Sequence, residues 1–251
     1  MRIAEIYSSR QGEGLLTGTP SVFVRASGCN LRCWFCDTPY TSWQPEGEDL
    51  SIDEIMRQVG ESRLSDQRLA TQRVPQAANG AADFAAGAYA VLTGGEPMLF
   101  AEMIPLTSRL REAGFHITIE TAGTLRLPVQ CDLMSISPKL SNSTPSVERD
   151  RRWHRRHEHS RHVPEVIRRL LAEYPYQLKF VIDAPADCEE VETYLEEFPE
   201  VDRKRVLLMP QGTDAASLAA RSAWLEPLSR DRGFRFCPRR QIEWYGHARG
   251  T

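Results

Sequence analysis

The chain has 251 residues, with 31 Lys and Arg against 34 Asp and Glu, a formal net charge of −3 with neutral histidines. That balance excludes a general attraction to nucleic acid or anionic membranes, and 41% apolar with 26% charged residues excludes disorder, collagen and coiled coil in favour of a globular core. No stretch reaches the roughly 20 apolar residues of a membrane span, and MRIAEIYSSRQGEG lacks a signal peptide's apolar core, so a cytoplasmic protein is expected.

In chain order, QGEG (Gln11 to Gly14) reads as a polar glycine-rich turn between an opening strand and the first core strand, SVFVRA at 21–26. Alternation puts Arg25 on the face of Phe23, opposite Val22 and Val24. GCNLRCWFCDT follows at once, and a helix is expected from Ser51 to Val59, opened by a capping box of Ser51 and Glu54. Glu61 to Ala88 has little periodicity and reads as a surface insertion. Strands follow at 89–93 and 116–120, separated by a helical period from Met103 to Ala113. Eleven residues lie between Glu120 and Asp132, too few for a crossover helix, before the strand at 132–137. The stretch 141–162, with four histidines and six arginines, reads as an irregular solvated loop, because its spacing matches no closed ligand set. Helical periods at Val163–Tyr174 and Asp187–Phe198 alternate with strands at 177–182 and 205–210. Strands alternating with helices predict a parallel sheet, and the missing crossover predicts an incomplete, partly irregular (β/α)6 barrel in a single domain spanning 1–251, its site at the strands' C-terminal ends.

Six cysteines are too sparse for a disulfide scaffold, yet Cys29, Cys33 and Cys36 crowd together just past a strand end. Three buried small side chains would not need the polar Asn30 and Arg32 between them, and a zinc site would need a fourth ligand that Cys131, Cys188 and Cys237 do not offer by spacing. A 4Fe-4S cluster held by three thiolates leaves one iron open to an exogenous chelate. In GGEP, Gly94 to Pro97, two glycines permit close backbone approach to a ligand, and Glu96 or a strand-end carbonyl can receive an ammonium group.

C-x3-C-x2-C after the first core strand with GGEP after the second resembles the radical S-adenosylmethionine (SAM) superfamily, and EIYSSRQGEGLLTGTPSVFVRASGCNLRCWFCDT is similar more closely to the 7-carboxy-7-deazaguanine synthases. The resemblance implies a 4Fe-4S cluster on Cys29, Cys33 and Cys36 that cleaves SAM to an adenosyl radical. It implies conversion of 6-carboxy-5,6,7,8-tetrahydropterin to 7-carboxy-7-deazaguanine with loss of ammonia, a carbon–nitrogen lyase step of queuosine biosynthesis. It assigns Arg10, Gln11, Gly12, Glu13, Arg25 and Thr93 to the substrate, with Thr251 at the tail. SAM would meet Phe35, Cys36, Asp37, Gly95, Glu96, Ser137, Pro138, Lys139 and Gln211, and Thr38 would ligate Mg2+. It implies a homodimer reduced by a flavodoxin or ferredoxin, with no nucleic acid or membrane partner. A glycyl-radical enzyme activase and a non-enzymatic iron–sulfur or zinc module are the alternatives. The sequence has ETAGT, with Ala122, where the family pattern is ETNGT.

Overall fold

A computed structural model describes residues 1–65 and 88–250. Its strands are β1 (Arg2–Arg10), β2 (Pro20–Ala26), β3 (Glu48–Asp49), β4 (Ala88–Gly94), β5 (Phe115–Thr121), β6 (Leu133–Ile136), β7 (Tyr176–Ile182), β8 (Val206–Pro210) and β9 (Arg235–Phe236). They form one sheet in the order β3-β1-β2-β4-β5-β6-β7-β8-β9. Every pairing from β2 to β9 is parallel, while β1 lies antiparallel on β2 with Glu5 opposite Arg25 and Tyr7 opposite Phe23. The sheet does not close, so the incomplete barrel is the architecture observed. The stretch between β5 and β6 contains no helix, as its length requires.

The helices are α1 (Pro39–Ser42), α2 (Ile52–Ser65), α3 (Met103–Glu112), α4 (Val147–Ser160), α5 (Pro164–Glu173), α6 (Pro185–Glu196), α7 (Ala215–Asp231) and α8 (Arg240–Tyr245). The capping box forms at α2, Glu54 Oε2 accepting from Ser51 N at 2.7 Å while Ser51 Oγ accepts from Glu54 N at 3.3 Å. The expected insertion is narrower than 61–88: residues 61–65 complete α2, Ala88 opens β4, and the rest lies outside the described residues.

Strand parity divides core from cavity. Val24, Leu92, Ile119, Met134, Ile136, Leu178, Phe180 and Leu208 pack with Leu106, Leu110, Ile167, Leu170 and Val191 of the crossover helices, all nearly or fully buried. The opposite parity, Phe23, Arg25, Thr93, Glu120, Ser135, Lys179 and Met209, faces a concave cavity. A one-residue slip of any strand would exchange these sets, so burial of the apolar set fixes where the polar set points.

The stretch expected to be an irregular loop at 141–162 is instead a 3-10 turn (Ser141–Ser143) and α4. Ser146 caps the first turn, and Asp150, at φ −165° and ψ 100°, interrupts the helix and recaps it by accepting from Trp153 N at 2.9 Å. The helix needs an internal partner because His157 is fully buried, its Nδ1 accepting from Arg32 N at 3.1 Å and its Nε2 paired with Ser143 Oγ at 2.9 Å. Burial lowers the His157 pKa to about 4. An unfolded chain therefore binds a proton here between pH 6.5 and about 4 that the folded chain refuses, and stability falls as pH is lowered through that window, by up to about 1.4 kcal/mol per pH unit. Urea unfolding at pH 7.5 and 5.5 should show wild type losing more stability than His157→Gln; equal losses would place the acid sensitivity elsewhere.

Candidate active site

The cavity at the C-terminal ends of the parallel strands has a volume of about 480 Å³. One wall is the segment 28–40 after β2. There the carbonyl of Gly28 accepts from Glu96 N at 2.8 Å, Gly28 N donates to Thr41 O at 2.8 Å, and Gly95 N donates to Ala26 O at 3.1 Å. Arg32 and Trp34 are tied by backbone N–H groups to His157 and Ser143, and Trp43 Nε1 donates to Cys33 O at 2.9 Å. Cys29, Cys33 and Cys36 all line the cavity, while Cys131, Cys188 and Cys237 do not. Cys29 Sγ accepts from Leu31 N at 3.4 Å and Cys36 Sγ from Ser42 Oγ at 3.3 Å, contacts that suit thiolate sulfur. Burial pushes the Cys29 and Cys33 thiols up to about 12, so without a metal they are protonated. No three His, Cys, Asp or Glu side chains among the described residues group tightly enough for a single metal ion. A cubane asks for a wider set, because each thiolate would meet a different iron, and three thiols lining one cavity are the donor set it would take.

The GGEP turn differs from expectation. Its two glycines admit backbone rather than ligand: a Cβ on Gly94, at φ +138°, would overlap Ala26, and one on Gly95 would overlap the carbonyls of Gly28 and Thr41. Glu96 is fully buried and off the cavity wall. Its carboxylate is consumed by Met98 N at 3.0 Å, Thr121 Oγ1 at 2.8 Å and Ala122 N at 2.8 Å, because three donors from two strand ends converge on it. Three of its acceptor positions are thus taken inside the protein, while Gly95 does line the cavity. Gly94→Ala is expected to cost roughly 2–4 kcal/mol and to misplace the cysteine segment, read as a lower melting temperature and reduced iron content after reconstitution.

Ser137, Lys139, Gln211, Phe35 and Asp37 line the same space, whereas Pro138 is buried behind it. Lys139 Nζ folds back onto Ser137, donating to its carbonyl at 2.6 Å and its hydroxyl at 2.8 Å. Thr38 lines the cavity with its Oγ1 3.3 Å from that of Thr41. Thr251 lies outside the described residues.

The QGEG turn lines the same cavity, with Gln11 and Gly12 buried and Glu13 and Gly14 half-buried. Gln11 Oε1 accepts from Glu13 N at 3.1 Å and its Nε2 donates to Glu120 Oε1 at 3.3 Å, while Thr93 Oγ1 donates to Glu120 Oε2 at 2.9 Å. Glu13 accepts from Lys179 Nζ at 2.5 Å, Arg239 Nε at 3.1 Å and Gln241 Nε2 at 2.6 Å. Burial alone would raise the Glu13 pKa, but Lys179 and Arg239 hold it well below the usual carboxylate range. Arg25 donates to Glu5 Oε1 at 2.6 Å and to Tyr7 Oη at 2.8 Å, with Tyr40 Oη donating to the same Glu5 oxygen. Glu5 and Tyr7 thereby hold the guanidinium in place at the cavity wall. Arg10 and Gly12 complete this wall. Glu5, Tyr7, Glu120, Lys179, Arg239 and Gln241 are polar cavity residues that the sequence did not point to, and Tyr40, Ser135 and His247 join them.

The Radical SAM superfamily profile matches residues 23–175. A 7-carboxy-7-deazaguanine synthase from Rhodopirellula baltica is 41% identical over 250 residues, covering 99% of this chain and 88% of that protein. The chain belongs to the 7-carboxy-7-deazaguanine synthase family of radical SAM proteins. Another family member, from Halobacterium salinarum, is 39% identical over 258 residues, 99% of this chain and 92% of the relative. QueE from Escherichia coli superposes with a TM-score of 0.62 at 20% identity, covering 94% of this chain and 92% of that one, which shows the shared fold. Membership brings with it a 4Fe-4S cluster and SAM as cofactors. No helix among the described residues is long and apolar enough to cross a membrane.

Proposed function

We propose that this synthase-family chain converts 6-carboxy-5,6,7,8-tetrahydropterin into 7-carboxy-7-deazaguanine with loss of ammonia, in queuosine and deazapurine biosynthesis. The observation that carries this is a single cavity that brings three thiols together with a set of buried carboxylates, amides and cations. When bound, the cluster and SAM supply hydrogen-atom abstraction chemistry. The chain's own residues hold and aim the reactants. Cys29, Cys33 and Cys36 carry the cluster, and Gly95, Ser137, Lys139 and Gln211, with the backbone from Phe35 to Asp37, line the SAM side. Arg25, held by Glu5 and Tyr7, faces the substrate carboxylate, for which a guanidinium's paired N–H groups are the natural partner. Gln11, Glu13, Thr93 and Glu120 offer the amide, hydroxyl and carboxylate groups that match the alternating donors and acceptors of an aminopyrimidinone. Arg10 and Gly12 border the same face. Thr38 hydroxyl is the protein's oxygen for Mg2+, whose remaining positions the substrate and water would fill.

The segment after α8 supports exclusion of water. Gly246 to Gly250 line the cavity mouth, and His247 Nε2 lies 3.0 Å from the Asp37 carbonyl. An activase of another protein is not favoured, since relatives over nearly the full chain carry the synthase name and the buried polar wall suits a small molecule. The test is anaerobic incubation of reconstituted protein with SAM, dithionite, Mg2+ and the carboxypterin. Formation of 7-carboxy-7-deazaguanine by mass spectrometry is expected, and a fully loaded cluster that yields none defeats the proposal.

A further inference from the structure

We infer that the exposed face of α4, together with Trp34, is the docking surface for an acidic one-electron carrier protein. The inference rests on the radical SAM reading, because it concerns how an electron reaches the cysteine segment. Although the whole chain is net negative, Arg151, Arg152, Arg155 and Arg156 are exposed together and rim one shallow concavity. Other arginines at the surface, such as Arg57, Arg109, Arg126, Arg203 and Arg232, are neutralised by nearby carboxylates. Among the described residues, none of the four on α4 has a carboxylate partner. An unneutralised cluster of cations repels itself and raises the cost of the folded state unless something anionic meets it.

Location decides what that something is. Arg156 and Arg32 both stack on the Trp153 ring, at 4.8 and 4.1 Å from its centroid, and Arg32 immediately precedes Cys33. Arg149 donates to the Trp34 carbonyl at 3.0 Å and stacks on Trp43 at 4.5 Å. Trp34, between two of the cavity cysteines, is 41% exposed, and Val147 at the start of α4 is 45% exposed. The patch therefore combines two exposed apolar side chains with a cationic face, the make-up of a transient protein interface, directly over the segment that would hold the cluster. A nucleic acid would also meet the arginines, but it has no use for proximity to the cysteines, and the net charge of −3 opposes a long polyanion. At such a contact the carrier is oxidised by one electron and the enzyme reduced by one, with no bond made or broken.

The test titrates reconstituted enzyme with an oxidised bacterial flavodoxin by calorimetry at several salt concentrations. Three proteins are compared: wild type, R151E/R152E/R155E, and the equally charged R2E/R169E/R235E. Wild-type affinity should fall with salt, the α4 variant should bind at least about tenfold more weakly, and the control should stay within about twofold of wild type. Dithionite-driven turnover should be unchanged in both variants. Equal binding by all three, equal loss in both variants, or selective loss of tRNA binding instead of flavodoxin binding in the α4 variant would overturn the inference. Absence of dithionite-driven product in wild type would instead defeat the proposed reaction and leave the docking result standing.

Discussion

Cys33→Ala is expected to abolish the cluster's visible charge-transfer absorbance after anaerobic reconstitution, and with it any cleavage of SAM. Cys29, Cys33 and Cys36 are the cysteines facing the cavity among the described residues, so losing one leaves a cluster with two protein sulfurs and two irons without a protein ligand. Burial that pushes the Cys29 and Cys33 thiols up to about 12, and raises Cys36 as well, in the metal-free protein also means that cluster assembly must displace their protons, so reconstitution yield should rise with pH across the neutral range. The remaining cysteines provide the contrast. Cys188 is fully buried in the core, and Cys188→Ala should keep the absorbance while losing about 1 kcal/mol of stability to a small cavity. Cys237 Sγ accepts from Gly14 N at 3.1 Å, so Cys237→Ala strands a backbone donor beside the QGEG turn and should cost about 1–2 kcal/mol, again with the cluster intact. Retained iron and absorbance in Cys33→Ala, or their loss in Cys188→Ala, would reverse the assignment.

That contrast was legible in the sequence because it depends on local order: three cysteines within eight residues, directly after a β-branched run, can only sit at one strand end. The parallel strands were legible for the same reason, since Val22, Val24, Leu92, Ile117 and Phe180 carry the apolar parity that the core requires. What stayed hidden depends on partners distant in sequence. Lys179 and Glu120 sit in strands as lone charges, a signal that something across the cavity must pair them, but nothing local says that the partner is Glu13. Glu96 shows the converse. Its motif suggested a ligand, yet its carboxylate is spent on two strand-end backbones, which only the register of β4 against β5 brings within reach. In α4 the charged composition hid a helix whose one buried side chain, His157, sits among exposed arginines and offers no apolar stripe to the eye. The Ala-rich helix α7 likewise has no clean stripe, and Pro227 inside it argues locally against a helix.

Arg239→Ala is expected to destabilise the protein by about 3 kcal/mol and to release the C-terminal segment from the cavity. Arg239 is 7% exposed and bridges three elements: Nε to Glu13 Oε1 at 3.1 Å, Nη1 to Gly212 O at 2.6 Å, and Nη2 to the Asp37 carboxylate. Removing it leaves Glu13 with Lys179 and Gln241 but leaves Asp37 with no cation in contact, and stranding a buried charge costs about 3–5 kcal/mol. The lower end applies, because the Asp37 side chain keeps 40% of its exposure and water can take over part of the lost pairing. Arg239→Lys should recover only part, since one ammonium cannot span two carboxylates and a carbonyl as a guanidinium fork does. The pH dependence follows from the two carboxyls. Burial opposes their ionisation, but Arg239 holds Asp37, and Lys179 with Arg239 holds Glu13, below their usual pKa values. Their contribution is therefore complete above the unfolded values near 4 and is lost as pH falls through the lower folded values. The gap in urea stability between wild type and Arg239→Ala should be constant at neutral pH and shrink only below about pH 4. Arg240 N donates to Gly12 O at 3.0 Å one residue along, so freeing position 239 should also speed tryptic cleavage after Arg240 and raise the KM for the pterin. A variant with wild-type urea midpoint and wild-type cleavage rate would mean that α8 is held to the barrel by its other contacts, Arg240 N on Gly12 O and Gln241 on Glu13, and that Arg239 is a passenger at the mouth of the cavity.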